Sequence, residues 1–166
     1  MCRDFGGSSF LKGNELYVKI YSAMWIAFLL FGFSFVFNFI WESLQAVYLY
    51  QGHDLDARTY VPMMVYVSSV DGLLILGMYL LVSLLLKNLS WPRNMRRRSI
   101  GLFLLLGLFT SATVEYVSVH VLSRWAYLQT MPTLFGIGLS PLLQLDVTGL
   151  LSLWITRRIL FGKGTP

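Results

Sequence analysis

Four long apolar stretches, roughly residues 20–41, 61–86, 100–122 and 141–160, run through this chain between short polar connections. Each approaches or exceeds the ~20 residues that a helix needs to cross a ~30 Å hydrocarbon core. The pattern predicts an all-α fold, a polytopic membrane protein built as a four-transmembrane-helix bundle. The connections are too short to house a second domain, so residues 1–166 are expected to form one. Asn14 is a candidate N-cap for the first helix, which is expected to continue toward Tyr48 and Tyr50, whose rings suit a membrane interface. Residues 51–60 form a polar loop, and Pro62 fits the first turn of the second helix. Residues 134–138 are expected to be irregular and to cap the polar region from the outer side, because Pro132, Gly136 and Gly138 interrupt an apolar run. Ser140 and Pro141 then read as N-cap and first residue of the fourth helix.

Composition narrows the class. At 56% hydrophobic and only 13% charged, the chain is too apolar for an ordinary soluble domain. The first apolar run is too long for a signal-peptide core and has no small-residue cleavage pattern behind it, so it reads as a retained span. The single cysteine, Cys2, excludes an internal disulfide and a cysteine-based zinc site. Eleven of the thirteen lysines and arginines lie in residues 1–19, in residues 87–99 and at the C-terminal end. By the positive-inside rule both termini are expected to be cytoplasmic, in the cell (inner) membrane. The net charge of +5 is then a topology signal and an attraction to anionic lipid. Arg96, Arg97 and Arg98 lack the interleaved aromatics of a nucleic-acid surface, and no nucleic-acid partner is expected.

Polar residues inside the apolar stretches carry the candidate chemistry. Asn38, Glu42 and Gln45 are spaced i, i+4, i+7 and share one helix face, with Trp41 beside them. Each later stretch contributes one acid: Asp71, Glu115 and Asp146. A rise of ~1.5 Å per residue puts Asp71 roughly 15 Å deep, Glu115 roughly 22 Å above the inner start of its helix and Asp146 about 8 Å below the outer surface. Ionisable groups at such depths face protein or water and find a partner. The candidate catalytic residues are therefore Glu42, Asp71, Glu115 and Asp146, converging on one outward-facing pocket. The candidate substrate-binding residues are Asn38, Trp41, Gln45, His120, Arg124, Tyr127 and Gln144, with Arg124 or His120 as counter-charge. The structural alternatives are that Asn38 and Gln45 join helices by hydrogen bonds, that Glu42 is solvated at the interface and that Asp71 is a buried structural acid. His53, Asp54 and Asp56 are metal-capable types on a short loop; no metal site is assigned, and no cofactor is identified.

Four fragments carry a resemblance. They are Trp41-Glu42-x-x-Gln45, Asp71-Gly72, Glu115 followed by Trp125-x-Tyr127-x-x-x-Met131-Pro132, and Gly136-x-Gly138-Leu139-Ser140-Pro141-Leu142-Leu143-Gln144. From about Phe37 onward the chain resembles a group of small multi-pass bacterial membrane proteins, which implies the fold and no activity. Asn38-x-x-Trp41-Glu42 is similar to a short motif of the membrane-integral terpene cyclases of meroterpenoid pathways. The acids of those proteins protonate an isoprenoid, and those proteins have more spans than this chain.

Three functions fit the pattern. One is an acid/base enzyme acting on a lipid or isoprenoid drawn from the bilayer. The second is an accessory or assembly subunit whose polar face meets a membrane-protein partner or a second copy of the chain. The third is a proton- or cation-coupled carrier, which the lack of polar residues in the inner half disfavours.

Overall fold

The computed structural model describes the backbone of residues 7–52 and 56–162, and side chains from Ile20 onward within that range. The expected all-helical architecture is found, and four helices are long and apolar enough to cross a bilayer. They are α1 (Gly7–Tyr48), α2 (Ala57–Leu86), α3 (Arg97–Tyr116, continued by a wider π-turn over Val117–Val121) and α4 (Leu139–Phe161). A two-stranded antiparallel hairpin, β1 (Thr133–Leu134) and β2 (Ile137–Gly138), precedes α4. Helix α1 packs along α2 on one side and α4 on the other, α3 packs on α4, and α2 meets α3 over a smaller contact. The result is a closed ring of four helices with a loose seam between α2 and α3.

The helix starts differ from expectation, each for a local reason. Asn14 lies inside α1, which begins at Gly7. Helix α2 begins at Ala57 because the Asp56 carboxylate accepts the Arg58 N–H at 2.9 Å, an N-cap five residues before the apolar run. Pro62 consequently sits inside the helix. Helix α4 begins at Leu139, and Ser140 does not cap it. Its hydroxyl instead donates to the buried Gln45 Oε1 at 2.7 Å, and buried amide oxygens are bonded wherever a donor reaches them. The 134–138 segment is more regular than expected. Phe135 (φ 52°) and Gly136 (φ 78°) form the turn of a tight hairpin, whose two left-handed positions match the twist of its strands.

The two ends of the bundle have different interiors. Around the 87–97 connection the core is apolar: Ile26, Leu30, Ile75, Tyr79, Val82, Phe103 and Leu153 pack together. Trp91 belongs to this cluster although it lies in the most basic connection. A short 3₁₀ turn, Trp91–Asn94, tucks the indole beneath the helices, where Nε1 donates to Ser83 Oγ at 3.1 Å. Tyr79 donates to Leu89 O at 2.7 Å and fixes the same loop. At the opposite end, residues 49–51 run beside 126–128: Gln51 N donates to Ala126 O and Leu128 N to Leu49 O, both at 2.9 Å. This backbone pairing folds the segment after α3 across the end of α1 and holds Tyr50 against Tyr127.

Candidate functional site

Helices α1 and α4 supply the centre of the site because their polar faces meet. The i, i+4, i+7 face of α1 carries Asn38, Glu42 and Gln45 toward α4, where Gln144 and Thr148 lie one turn apart. Asn38 and Gln144 are buried, and neither amide is left without bonds. Asn38 Nδ2 donates to Ser34 O at 2.8 Å, and its oxygen receives Thr148 Oγ1 at 3.2 Å. Gln144 Nε2 lies 2.7 Å from Glu42 Oε1, 2.9 Å from Asp71 Oδ2 and 3.0 Å from Asn38 Oδ1. An amide nitrogen has two hydrogens, so three acceptors on it leave one donor missing. The Glu42 and Asp71 carboxyl groups are also within hydrogen-bonding reach of each other.

A second branch runs toward the hairpin end. Gln45 Nε2 reaches Gln144 Oε1 at 3.5 Å and Tyr50 Oη at 3.4 Å, while Trp41 Nε1 donates to Gln45 Oε1 at 3.2 Å. Tyr50 Oη donates to Glu115 Oε1 at 2.7 Å, and Trp125 Nε1 approaches the same oxygen at 3.3 Å. Five residues thus link Glu42 and Asp71 to Glu115: Gln144, Gln45 and Tyr50 in the chain, with Trp41 and Trp125 bracing it. Burial pushes the Tyr50 phenol up, and the adjoining Glu115 adds to that rise. Burial also raises the Tyr127 phenol, partly offset by the Gly138 N–H that its oxygen accepts at 2.9 Å.

These acids line a cavity of about 220 Å³ bounded by all four helices, Tyr50 and Trp125. Glu42, Asp71 and Glu115 stand on its wall, and Met63, Met64, Val67 and Leu74 supply much of the apolar lining. Exposed Tyr66 of α2 and Val114 of α3 also line it, which places its mouth at the loose α2–α3 seam. A second groove of about 460 Å³ lies on the other side of Gln45, between α1 and α4, and is lined by Phe37, Trp41, Leu44, Tyr48 and Leu151.

The sequence-expected residues divide accordingly. Asn38, Trp41, Glu42, Gln45, Asp71, Glu115 and Gln144 join one network, and Tyr127 closes it from above. Asp146 does not join them. One position past Leu145 on α4, it turns toward α3, where its Oδ1 presses on the backbone at Gly107 and has no hydrogen-bond partner. The expected convergence of four acids is therefore a convergence of three, because Asp146 and Gln144 point about 160° apart around α4, given ~100° per residue. The expected counter-charges are elsewhere too. His120 and Arg124 are exposed, and His120 Nε2 sits 3.0 Å from Gly136 O on the hairpin. The bonds that reach the acids come instead from an amide, a phenol and an indole. Residues 53–55 of the metal-capable loop lie outside the described residues; among the described residues, no three His, Cys, Asp or Glu are grouped to hold a metal ion.

Tyr50 and Ser140 were not legible as members of the site: Tyr50 reads as an interfacial ring and Ser140 as a helix cap. Tyr50 becomes buried only because the chain pairs 49–51 with 126–128, and no local signal announces that pairing. No family model, curated protein or solved structure matches this chain.

Proposed function

We propose that the chain spans the cell membrane four times with both termini cytoplasmic, and that it is an acid/base enzyme acting on a lipid or isoprenoid. The membrane reading is supported by four apolar helices of spanning length and by the bias of basic residues to one side. With that orientation the acid network lies in the outer half of the bilayer, and the apolar plug around Trp91 lies in the inner half.

The observation that carries the enzymatic reading is the single Gln144 amide that holds both Glu42 and Asp71 at the wall of an apolar cavity. A proton held between the two carboxyls supplies the donor that the amide lacks. One carboxyl then gives that proton to the substrate, and the other takes back the proton released, so the pair ends as it began. The α2–α3 seam gives a substrate dissolved in the bilayer a route that avoids water. The similarity of Asn38-x-x-Trp41-Glu42 to the terpene-cyclase motif adds an isoprenoid to the candidate substrates. The apolar groove between α1 and α4 favours a second reading, an accessory subunit docked to a membrane-protein partner or a second copy.

The test uses Glu42→Gln and Asp71→Asn, which keep shape and remove the proton. The enzyme reading expects both variants to insert and melt like the parent while the cellular phenotype of a deletion is not rescued. Full rescue by both removes the acid/base reading and leaves the subunit reading. Cysteines introduced into residues 87–99 are expected to be shielded from a membrane-impermeant reagent added outside the cell; labelling there overturns the orientation.

A further inference from the structure

The cavity is rich in hydrogen-bond acceptors and poor in available donors. Glu42, Asp71 and Glu115 line it, and among the described residues no lysine, arginine or histidine does. The donors nearest these acids are already engaged: Gln144 with Glu42 and Asp71, and Tyr50 and Trp125 with Glu115. Ser111, on α3 one turn before Glu115, also lines the cavity. It is only 5% exposed, and its Oγ is closed to a water-sized molecule, so it adds no donor to the cavity wall.

Two further features describe what could enter. The Tyr50 and Trp125 rings meet edge to face, with centroids 6.0 Å apart, and make an aromatic corner beside Glu115. Aromatic faces and carboxylates together favour an organic cation. Among the described residues no three His, Cys, Asp or Glu side chains are grouped to hold a metal ion, whereas an organic cation brings N–H donors of its own to separated acceptors. A phosphate would meet three acids and no basic group. Most of the remaining lining is aliphatic and thioether, suited to a hydrocarbon chain.

We propose that this cavity takes a protonated primary or secondary amine carried on an apolar chain, with its N–H groups bonded to the carboxyl wall. The chain leaves through the α2–α3 seam into the bilayer. The proposal rests on the reading of this cavity as the substrate site and deepens it by naming a substrate class.

The experiment measures saturable binding rather than turnover. Dodecylamine, dodecanol and dodecyl phosphate are titrated at neutral pH into the protein in phosphatidylcholine nanodiscs, with tryptophan emission as the signal and Trp125→Phe as the control that localises it. The amine is expected to bind at least about tenfold more tightly than the alcohol, and the phosphate not to saturate. The Glu42→Gln/Asp71→Asn double variant is expected to lose the amine preference and keep its affinity for the alcohol. Equal binding of alcohol and amine, tighter binding of the phosphate, or an undiminished amine preference in the double variant overturns the amine assignment alone. Absence of saturable binding by all three overturns it together with the reading of the cavity as a substrate site. The comparison of the three probes needs only the parent protein, so it holds even if the double variant fails to fold.

Discussion

The Tyr50 hydroxyl, two residues beyond the end of α1, donates to Glu115 of α3 at 2.7 Å. This one bond ties the connection after α1 to a buried acid that Trp125 Nε1 approaches less closely, at 3.3 Å. Tyr50→Phe removes it and leaves the ring packing against Trp125 and Tyr127 in place. The loss expected is about 1–3 kcal/mol of stability, the usual cost of an unsatisfied buried polar group. Thermal melting in nanodiscs checks it, and an unchanged melting temperature contradicts the structural role of the bond.

Gln144 is the junction of both branches. Gln144→Leu leaves Glu42, Asp71 and Asn38 without their common donor, although its volume is similar. Because the amide that positions both acids is then gone, activity is expected to fall more steeply than stability. Gln144→Glu supplies a third acid and no amide, and is expected to be worse on both counts. Melting and the cellular phenotype, measured side by side on both variants, separate this from a purely packing role, which predicts that leucine is benign.

Asp146 and Gly107 are expected to be coupled. A Cβ on Gly107 would overlap Asp146 Oδ1 and come within 3.0 Å of Met78 Cε. Gly107→Ala is therefore expected to cost about 1–3 kcal/mol through overpacking. Asp146→Ala opens that space and removes an unpartnered buried oxygen, so the pair of changes together should cost less than Gly107→Ala alone. A double-mutant cycle measures the difference. Additive effects would show that the two side chains do not share this space, and loss of activity on Asp146→Ala without loss of stability would return this acid to the site.

Alkali is expected to unfold the protein in a defined window. The phenols of Tyr50 and Tyr127 are raised above their ordinary value of 10.0, chiefly by burial. Both states hold the proton below that value, so the stabilisation is fully present there. Above it the unfolded chain releases protons that the folded chain keeps, and stability falls as pH rises toward the folded values. Tyr50→Phe should start from a lower melting temperature at neutral pH and lose less of it above pH 10.0, since one raised phenol is gone. An equally steep alkaline loss in that variant assigns the effect to other groups.

The four helices could be read from the chain because hydrophobic length is a local quantity: a run of twenty apolar residues predicts a span whatever its neighbours are. The shared face of Asn38, Glu42 and Gln45 was legible for the same reason, since helical periodicity fixes direction within one element. Tertiary structure decided which faces met. Gln144 and Asp146 are two residues apart on α4, and only the packing of that helix between α1 and α3 sends one to Glu42 and Asp71 and the other to Gly107. It also turned Ser140 from a helix cap into a donor for Gln45, drew Trp91 out of a basic connection into the core and buried Tyr50 beside Glu115. Each of these depends on contacts between residues far apart in sequence, and burial that arises from such contacts leaves no periodic or compositional trace in the segment that undergoes it.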